Sequence, residues 1–559
     1  MKIKRDNVKR WAALGLALAT AVAALAACGG SGTKTADTTA AAAAGGETTA
    51  AAAAAEKPTV IFASQPENGE YDPSGATAYV YFDYQTNCLE GLIDYNEQGG
   101  YEPAAAESWE ANDDGTVWTF HLREDGYWSD GSKVTSADFL NTIKRALDPA
   151  KGSWYVDGLF VIKGTEDAFN ETASVDDIGV ECPDDYTLVF HLNAPCAYFL
   201  DYLRLPTYMP SNVKYASNEN VGWDQDPAQN LGNGPYHMAA HEPGESITYT
   251  LNPYYRKQPA FGTIVLKFMA DEQAMVSAYK TGEVDVYGNA PYYILEQYAG
   301  KPDLDESPVM VTNYVLFNIN QAPFDDVRVR EAFSLAVSRQ GIIDVIGSNH
   351  TTDTSFIPAT FPSKANTGKT WGDLAGILLE ENAAKAQQLL ADAGYPGGAG
   401  LPELTYTYPS MGNEADVAQT LQQQWKEVLG ADVKLNAMEY EVYVDERRAG
   451  KLQFARMQWT GDFLDPATWL DMYRTGNAQN DVDWSNSEYD SIMTASMSEM
   501  DPAKREEMLL EAERILVTED HIICPLFNSS YIYLINPKLT GHWNHPLGGK
   551  IWKDAVVVQ

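Results

Sequence analysis

The stretch of this chain with the most chemistry in it is Gln453-Phe454-Ala455-Arg456-Met457-Gln458-Trp459-Thr460-Gly461-Asp462-Phe463-Leu464-Asp465-Pro466. A carboxylate (Asp462), an indole (Trp459) and guanidinium groups (Arg456, with Arg447 and Arg448 upstream) together suit a zwitterionic ligand. A plainer reading is a surface loop whose aspartate starts a turn, and these residues alone leave both open. The stretch begins as a buried strand and becomes a loop at Gly461. Before it, 404–408 reads as a strand and 415–429 as a helix closed by Gly430. Residues 433–438 read as a strand and 440–449 as a helix closed by Gly450. Such alternation predicts a βαβαβ unit, with a parallel sheet and helices packed on it. Ligands of open α/β sheets bind beyond the carboxyl ends of strands, where Trp459 to Asp462 fall.

The first residues set the compartment. Lys2, Lys4, Arg5, Lys9 and Arg10 form a basic region and 11–26 an apolar one, followed by Leu25-Ala26-Ala27-Cys28-Gly29-Gly30. The apolar run is short and ends in small residues, which reads as a secretory signal over 1–27 rather than a membrane span. The Leu-Ala-Ala-Cys order resembles a bacterial lipobox, which implies a lipid on Cys28 and anchoring at the cell membrane surface. Residues 28–57 are rich in Thr, Ala and Gly and poor in large apolar side chains, so they read as a disordered tether.

The remaining length exceeds one core at roughly 150 residues per domain. The formal net charge is −39, and the first 27 residues carry five basic residues and one acidic one. So acidic a body disfavours nucleic acid and anionic lipid as partners. Of five cysteines, Cys28 is the lipid site. Cys182 and Cys196 flank a predicted hairpin but are too far out of register to face each other, and no disulfide framework is expected.

Along the body, 59–63 and 117–123 read as strands, 87–95 as a short helix and turn, and 127–131 as a turn. Thr135 caps a helix running to Leu147, with Asp138 completing a capping box, and 187–192 is another strand. No His-Glu-x-x-His or Gly-x-Ser-x-Gly occurs. The paired acids Asp113-Asp114 and Asp325-Asp326 sit at i,i+1 in loops, and Ser363 replaces the first glycine a phosphate loop ending in Gly368-Lys369-Thr370 would need. His542 and His545 have no second ligand pair at metal-binding spacing. The chain does not read as an enzyme, and no cofactor or metal is expected.

Several runs resemble, in order, the signature of the bacterial extracellular solute-binding protein family 5. They are Glu90-Gly91-Leu92, Ala106-Glu107-Ser108-Trp109-Glu110, Trp118-Thr119-Phe120-His121-Leu122-Arg123, Trp128-Ser129-Asp130-Gly131 and Val134-Thr135-Ser136-Ala137-Asp138-Phe139. Gly232-Asn233-Gly234-Pro235-Tyr236, Leu251-Asn252-Pro253-Tyr254-Tyr255, Tyr279-Lys280-Thr281-Gly282-Glu283-Val284-Asp285 and 322–330 continue the match.

The resemblance implies an α/β, two-lobed periplasmic-binding-protein-like fold of type II with an extra subdomain, its mixed sheets joined by a hinge. Lobe I would comprise 58–89, 206–310 and 531–559, with 90–205 inserted as the subdomain, and lobe II would be 311–530. The implied function is capture of oligopeptides in the interlobe cleft by a monomeric receptor and delivery to the permease subunits of an ABC importer. A receptor of the same fold for a dipeptide, nickel chelate, haem or sugar, or a peptide sensor without transport, is the alternative. Matched by motif, Asp462 falls where oligopeptide members pair with the ligand's α-ammonium, and Trp459 where a tryptophan lines the cleft. Arg456 and Arg447 match arginines that meet the ligand's carboxylate at different lengths, and Tyr79 and Tyr155 match further cleft positions. Two departures stand out. Thr460 and Val311 occupy positions where some relatives carry a cysteine pair. Glu414 occupies the place of a histidine that helps bind carboxylate, where an acid would repel a peptide's C-terminus.

Overall fold

The structure, a computed structural model, describes residues 57–66, 70–76, 80–347 and 349–558. The signal, Cys28, the tether through residue 56, and Tyr79 lie outside the described residues.

Among the described residues the main sheet has eleven strands. In chain order they are β1 (Thr59–Ser64), β2 (Tyr236–Glu242), β3 (Ser246–Leu251), β4 (Thr263–Phe268), β5 (Val286–Tyr287), β6 (Leu304–Phe317), β7 (Thr351–Thr352), β8 (Leu404–Pro409), β9 (Val433–Met438), β10 (Phe454–Thr460) and β11 (Ile523–Ile535). Across the sheet they run β9-β8-β10-β6-β11-β5-β1-β4-β3-β2, with β7 paired to β11 off that path.

The βαβαβ unit is present as the sequence predicts. β8 pairs in parallel with both β9 and β10, and the helices Glu414–Leu429 and Tyr440–Arg448 make the crossovers. The first helix buries Val417, Ala418, Leu421, Trp425 and Leu429, a stripe at helical spacing, against the sheet. Its Trp425 ring lies 5.3 Å from Phe454 and 5.5 Å from Tyr406, and its indole N–H donates to Phe333 O. Gly430, at φ 70°, ends the helix in a left-handed cap, donating to the carbonyls of Trp425 and Lys426.

β6 and β11 tie the two halves of the sheet together. The first part of β6, Leu304 to Pro308, faces Leu534 to Ser530 of β11, and the second part, Thr312 to Leu316, faces Asn528 to Ile523. Between Pro308 and Thr312 the register shifts, four steps along β6 against two along β11. Such an irregularity re-aims a strand and concentrates bending. One core draws on Met310 to Phe527, and another on Val60 to Val286 with Tyr533, Ile535, Trp552 and Ala555 from the chain's end. The fold is two-lobed, and the core that begins at Val60 draws on separated segments of the chain. The cores interlock at one place: Tyr95 belongs to the first, Phe463 and Ala467 to the second.

A separate antiparallel sheet runs Ala106–Ala111, Val117–Leu122, Thr187–His191, Val180–Asp184. Beside it the Ser136–Ala146 helix starts with the expected Thr135/Asp138 capping box. The expected helix and turn over 87–95 is displaced. The helix is Val80–Cys88, and Ile93–Tyr95 is a strand paired with Tyr101–Pro103, because Asn96 to Gly100 closes a hairpin there. Cys88, Cys182, Cys196 and Cys524 are free thiols. Among the described residues no helix is long and apolar enough to cross a membrane.

Candidate ligand-binding cleft

β10 delivers its side chains to two faces. Arg456, Gln458 and Thr460 share one, opposite Val315, Asn313 and Val311 of β6, while Met457 and Trp459 point to the other. Val311 and Thr460, the positions of the missing cysteine pair, are direct cross-strand neighbours. The strand ends at Gly461, whose N–H donates to Met310 O at 2.9 Å. The Trp469 ring lies so close to Gly461 that a Cβ would collide with it. The loop then folds back on the short Ala467–Leu470 helix: the Trp459 indole donates to Thr468 O at 2.7 Å, and Thr468 Oγ1 accepts from Asp462 N at 3.0 Å. Trp459 thus braces the loop that presents Asp462.

Asp462 is half-buried, and burial pushes its carboxyl up to about 7, against the pull of the Tyr155 hydroxyl that donates to it. Tyr155 precedes the Val156–Leu159 turn, in the part of the chain that carries the separate sheet. The same turn brings Trp154, 61% exposed, within 5.8 Å of the Arg448 guanidinium. Two expected site residues, Tyr155 and Asp462, thus meet.

Three residues on, Asp465 is fully enclosed. Arg505 grips it bidentately at 2.7 Å through each nitrogen, and Lys364 reaches it at 3.3 Å. Lys364 also pairs at 2.6 Å with Asp201, which accepts from Tyr95 Oη at 2.9 Å. Phe463 sits between the rings of Tyr198 (5.7 Å, stacked) and Tyr202 (4.8 Å, edge-on). Burial opposes the charge on Asp465, but Arg505 and Lys364 outweigh it and hold the carboxyl below the ordinary range. Sequence reasoning missed this cluster, since its members are scattered from residue 95 to 505.

Both expected carboxylate-binding arginines are already engaged. Arg456, only 8% exposed, donates through Nε to Glu414 at 2.7 Å and pairs through Nη2 with the same carboxylate at 2.5 Å. Nη2 also faces Asn313 Oδ1 at 2.5 Å and Gln458 Oε1 at 3.2 Å. Arg447 pairs with Asp481 at 3.1 Å and touches the Met457 sulfur. Since Met457 and Arg456 point to opposite faces of β10, the two arginines do not form one cluster. The tendency of Glu414 to repel a ligand carboxylate thus takes a specific form: it neutralises Arg456. The buried His350 beside it accepts from Ser530 N at Nδ1 (3.1 Å) and contacts Tyr292 Oη at Nε2 (2.8 Å). Burial, and then Arg456, lower its pKa to about 4, so it is neutral at physiological pH.

A two-lobed fold hinged on paired strands, with polar groups converging between the lobes, defines a solute receptor. The family profile described as bacterial extracellular solute-binding proteins, family 5 Middle, matches residues 100–481, and the chain belongs to that family, whose members bind solutes outside the cytoplasm rather than catalyse reactions. The dipeptide-binding protein DppE of Bacillus subtilis is 30% identical over 492 residues, covering 87% of this chain and 89% of its own. The periplasmic oligopeptide-binding protein OppA of Escherichia coli is 30% identical over 514 residues, covering 90% and 91%. Among solved structures, peptide-bound OppA of Listeria monocytogenes superposes with a TM-score of 0.76 at 26% identity, over 90% of this chain and all of that one.

Proposed function

We propose that this protein is the receptor of an ABC importer, that it captures oligopeptides between its lobes as an extended strand, and that it passes them to the membrane permease. The observation that carries the reading is Asp462: a carboxylate in the cleft that, among the described residues, has a tyrosine hydroxyl but no cation beside it. A peptide's α-ammonium is the cation that would complete it, and a charge-assisted bond in a closed cleft is far stronger than one in water. Main-chain capture of an extended ligand accounts for tolerance of many side chains. Closure about β6 and β11 lets ligand contact both lobes only in the closed form, so binding shifts the open–closed equilibrium. Tyr155 and Trp459 belong to this site. Arg456 and Arg447 reach a ligand carboxylate only if Glu414 and Asp481 release them. Tyr79 is proposed by motif alone, as are the lipid anchor at Cys28 and the monomeric state.

The test is native mass spectrometry of protein lacking the signal and tether, purified from rich medium. Co-purifying masses spread over several peptide lengths are expected. A single small mass, of dipeptide, chelate, haem or sugar, overturns the oligopeptide reading in favour of another ligand of the same fold. A dipeptide is the second reading, supported by the dipeptide-binding name of one relative.

A further inference from the structure

The end of the cleft remote from Asp462 departs from what a carboxylate-reading site requires. Arg456 has two forks on which a carboxylate can sit. Glu414 closes the Nε–Nη2 fork with contacts of 2.7 and 2.5 Å, and Asn313 and Gln458 crowd the remaining hydrogen on Nη2. A second carboxylate on the Nη1 side would lie within a few ångströms of the first in a buried pocket, where like charges repel strongly. Neither nearby basic group relieves that repulsion. His350 is neutral and already bonded at both ring nitrogens, and Arg447 is held by Asp481 on the opposite face of β10. Glu414 itself arrives from the first turn of the Glu414–Leu429 helix, just past the carboxyl end of β8, so it stands at the cleft edge of the sheet rather than in the lobe's core.

We propose that Glu414 sets the ligand class: by occupying Arg456 it removes capture of the ligand's carboxyl terminus, so the receptor holds peptides by the amino end and accepts carboxyl-terminal amides or cationic far ends as readily as free acids. This deepens the peptide reading above and rests on it. Each step of an extended chain covers about 3.3 Å, so Arg456 to Thr460 spans about 13 Å, the reach of roughly four peptide residues. A ligand of at least that length, anchored at Asp462 just past Thr460 and running along β10, would lay its far end against the Glu414–Arg456 pair, which carries no net charge. A merely structural pair, with Glu414 there to suit the helix N-terminus, makes no such demand on the ligand.

The experiment uses refolded, ligand-free protein and two free-amine peptide libraries of about three to five residues, identical except that one has free carboxyl termini and the other amides. They compete for binding, read by native mass spectrometry. Wild type is expected to take acids and amides within about threefold of each other. Glu414→Gln keeps the size and one hydrogen bond but frees the guanidinium charge, and is expected to favour acids by about tenfold or more. Adding Arg456→Gln to it should erase that preference, and this double variant leaves no lone buried charge if Glu414→Gln alone fails to fold. Wild type preferring acids by about tenfold overturns the proposal, as does a folded Glu414→Gln that keeps the wild-type ratio. Binding of neither library overturns the peptide reading, and this inference with it. Binding of both with a preference for acids overturns this inference alone.

Discussion

Two carboxylates three residues apart in one loop meet opposite surroundings. Asp465 lies between the Arg505 and Lys364 side chains with every oxygen engaged. Asp462 has the Tyr155 hydroxyl and burial that raises its pKa to about 7. On the peptide reading proposed above, the difference separates structural charge from functional charge. An acid with its counter-ions built in belongs to the frame, while a half-buried one with no cation beside it is open to a positively charged partner. Their linkage to pH also runs in opposite directions. Asp465, held below its ordinary range, contributes stability above about pH 4 that is lost on acidification. Asp462, raised from 3.8 to about 7, contributes stability that is present in acid and lost as pH climbs toward 7.

The largest effect should come from breaking the structural half. Asp465→Ala leaves Arg505 buried with its charge uncompensated, and a loss of about 3–5 kcal/mol is expected in urea unfolding. A loss below about 1 kcal/mol would place the pair among ordinary exposed ones and erase the contrast. Next is the functional half. Asp462→Asn should leave the unfolding midpoint at neutral pH unchanged or slightly raised, yet weaken free-amine peptides by about 10- to 100-fold while sparing N-acetylated ones. Equal losses for both peptides rule out the ammonium role. The smallest effect sharpens the comparison. Affinity for a free amine should rise with pH through about 7 as Asp462 ionises. Tyr155→Phe removes the donor that favours the ionised form, so the midpoint in calorimetric titrations should move up by about half a unit to one unit. A midpoint that stays put or falls means that Tyr155 does not bear on Asp462.

Much of the frame is legible in local pattern. Residues 404–460 alternate strand and helix, and each helix is closed by a glycine, so the βαβαβ unit and the loop after Gly461 follow from periodicity and punctuation. The Thr135/Asp138 cap is equally local. The Val80–Cys88 helix is not legible in local pattern, because 80–88 is largely polar and aromatic and shows no clean apolar stripe. At the site, Asp462 and Tyr155 came from motif resemblance, and nothing in the sequence alone says that their side chains touch. The pairing of Glu414 with Arg456 was legible only as a conflict, an acid where carboxylate is expected. Its resolution needs the parallel register that brings the start of one helix over the strand beside it. The Asp201–Lys364–Asp465–Arg505 cluster has no signal, because charges so far apart in sequence become neighbours only in the folded chain.

The pairing of β11 with β5 has a consequence for how the chain comes into being. Val286 and Tyr287 lie against Ile535 and Leu534, Asn536 donates to Asp285 O, and the ring of Trp552 meets Phe62 at 4.9 Å. The lobe that starts at residue 59 therefore stays unfinished until residues 534–552 have been synthesised. Contacts of such sequence separation form late and slowly. Until those residues arrive, one edge of β5 has no strand to pair with, the kind of open edge that invites aggregation.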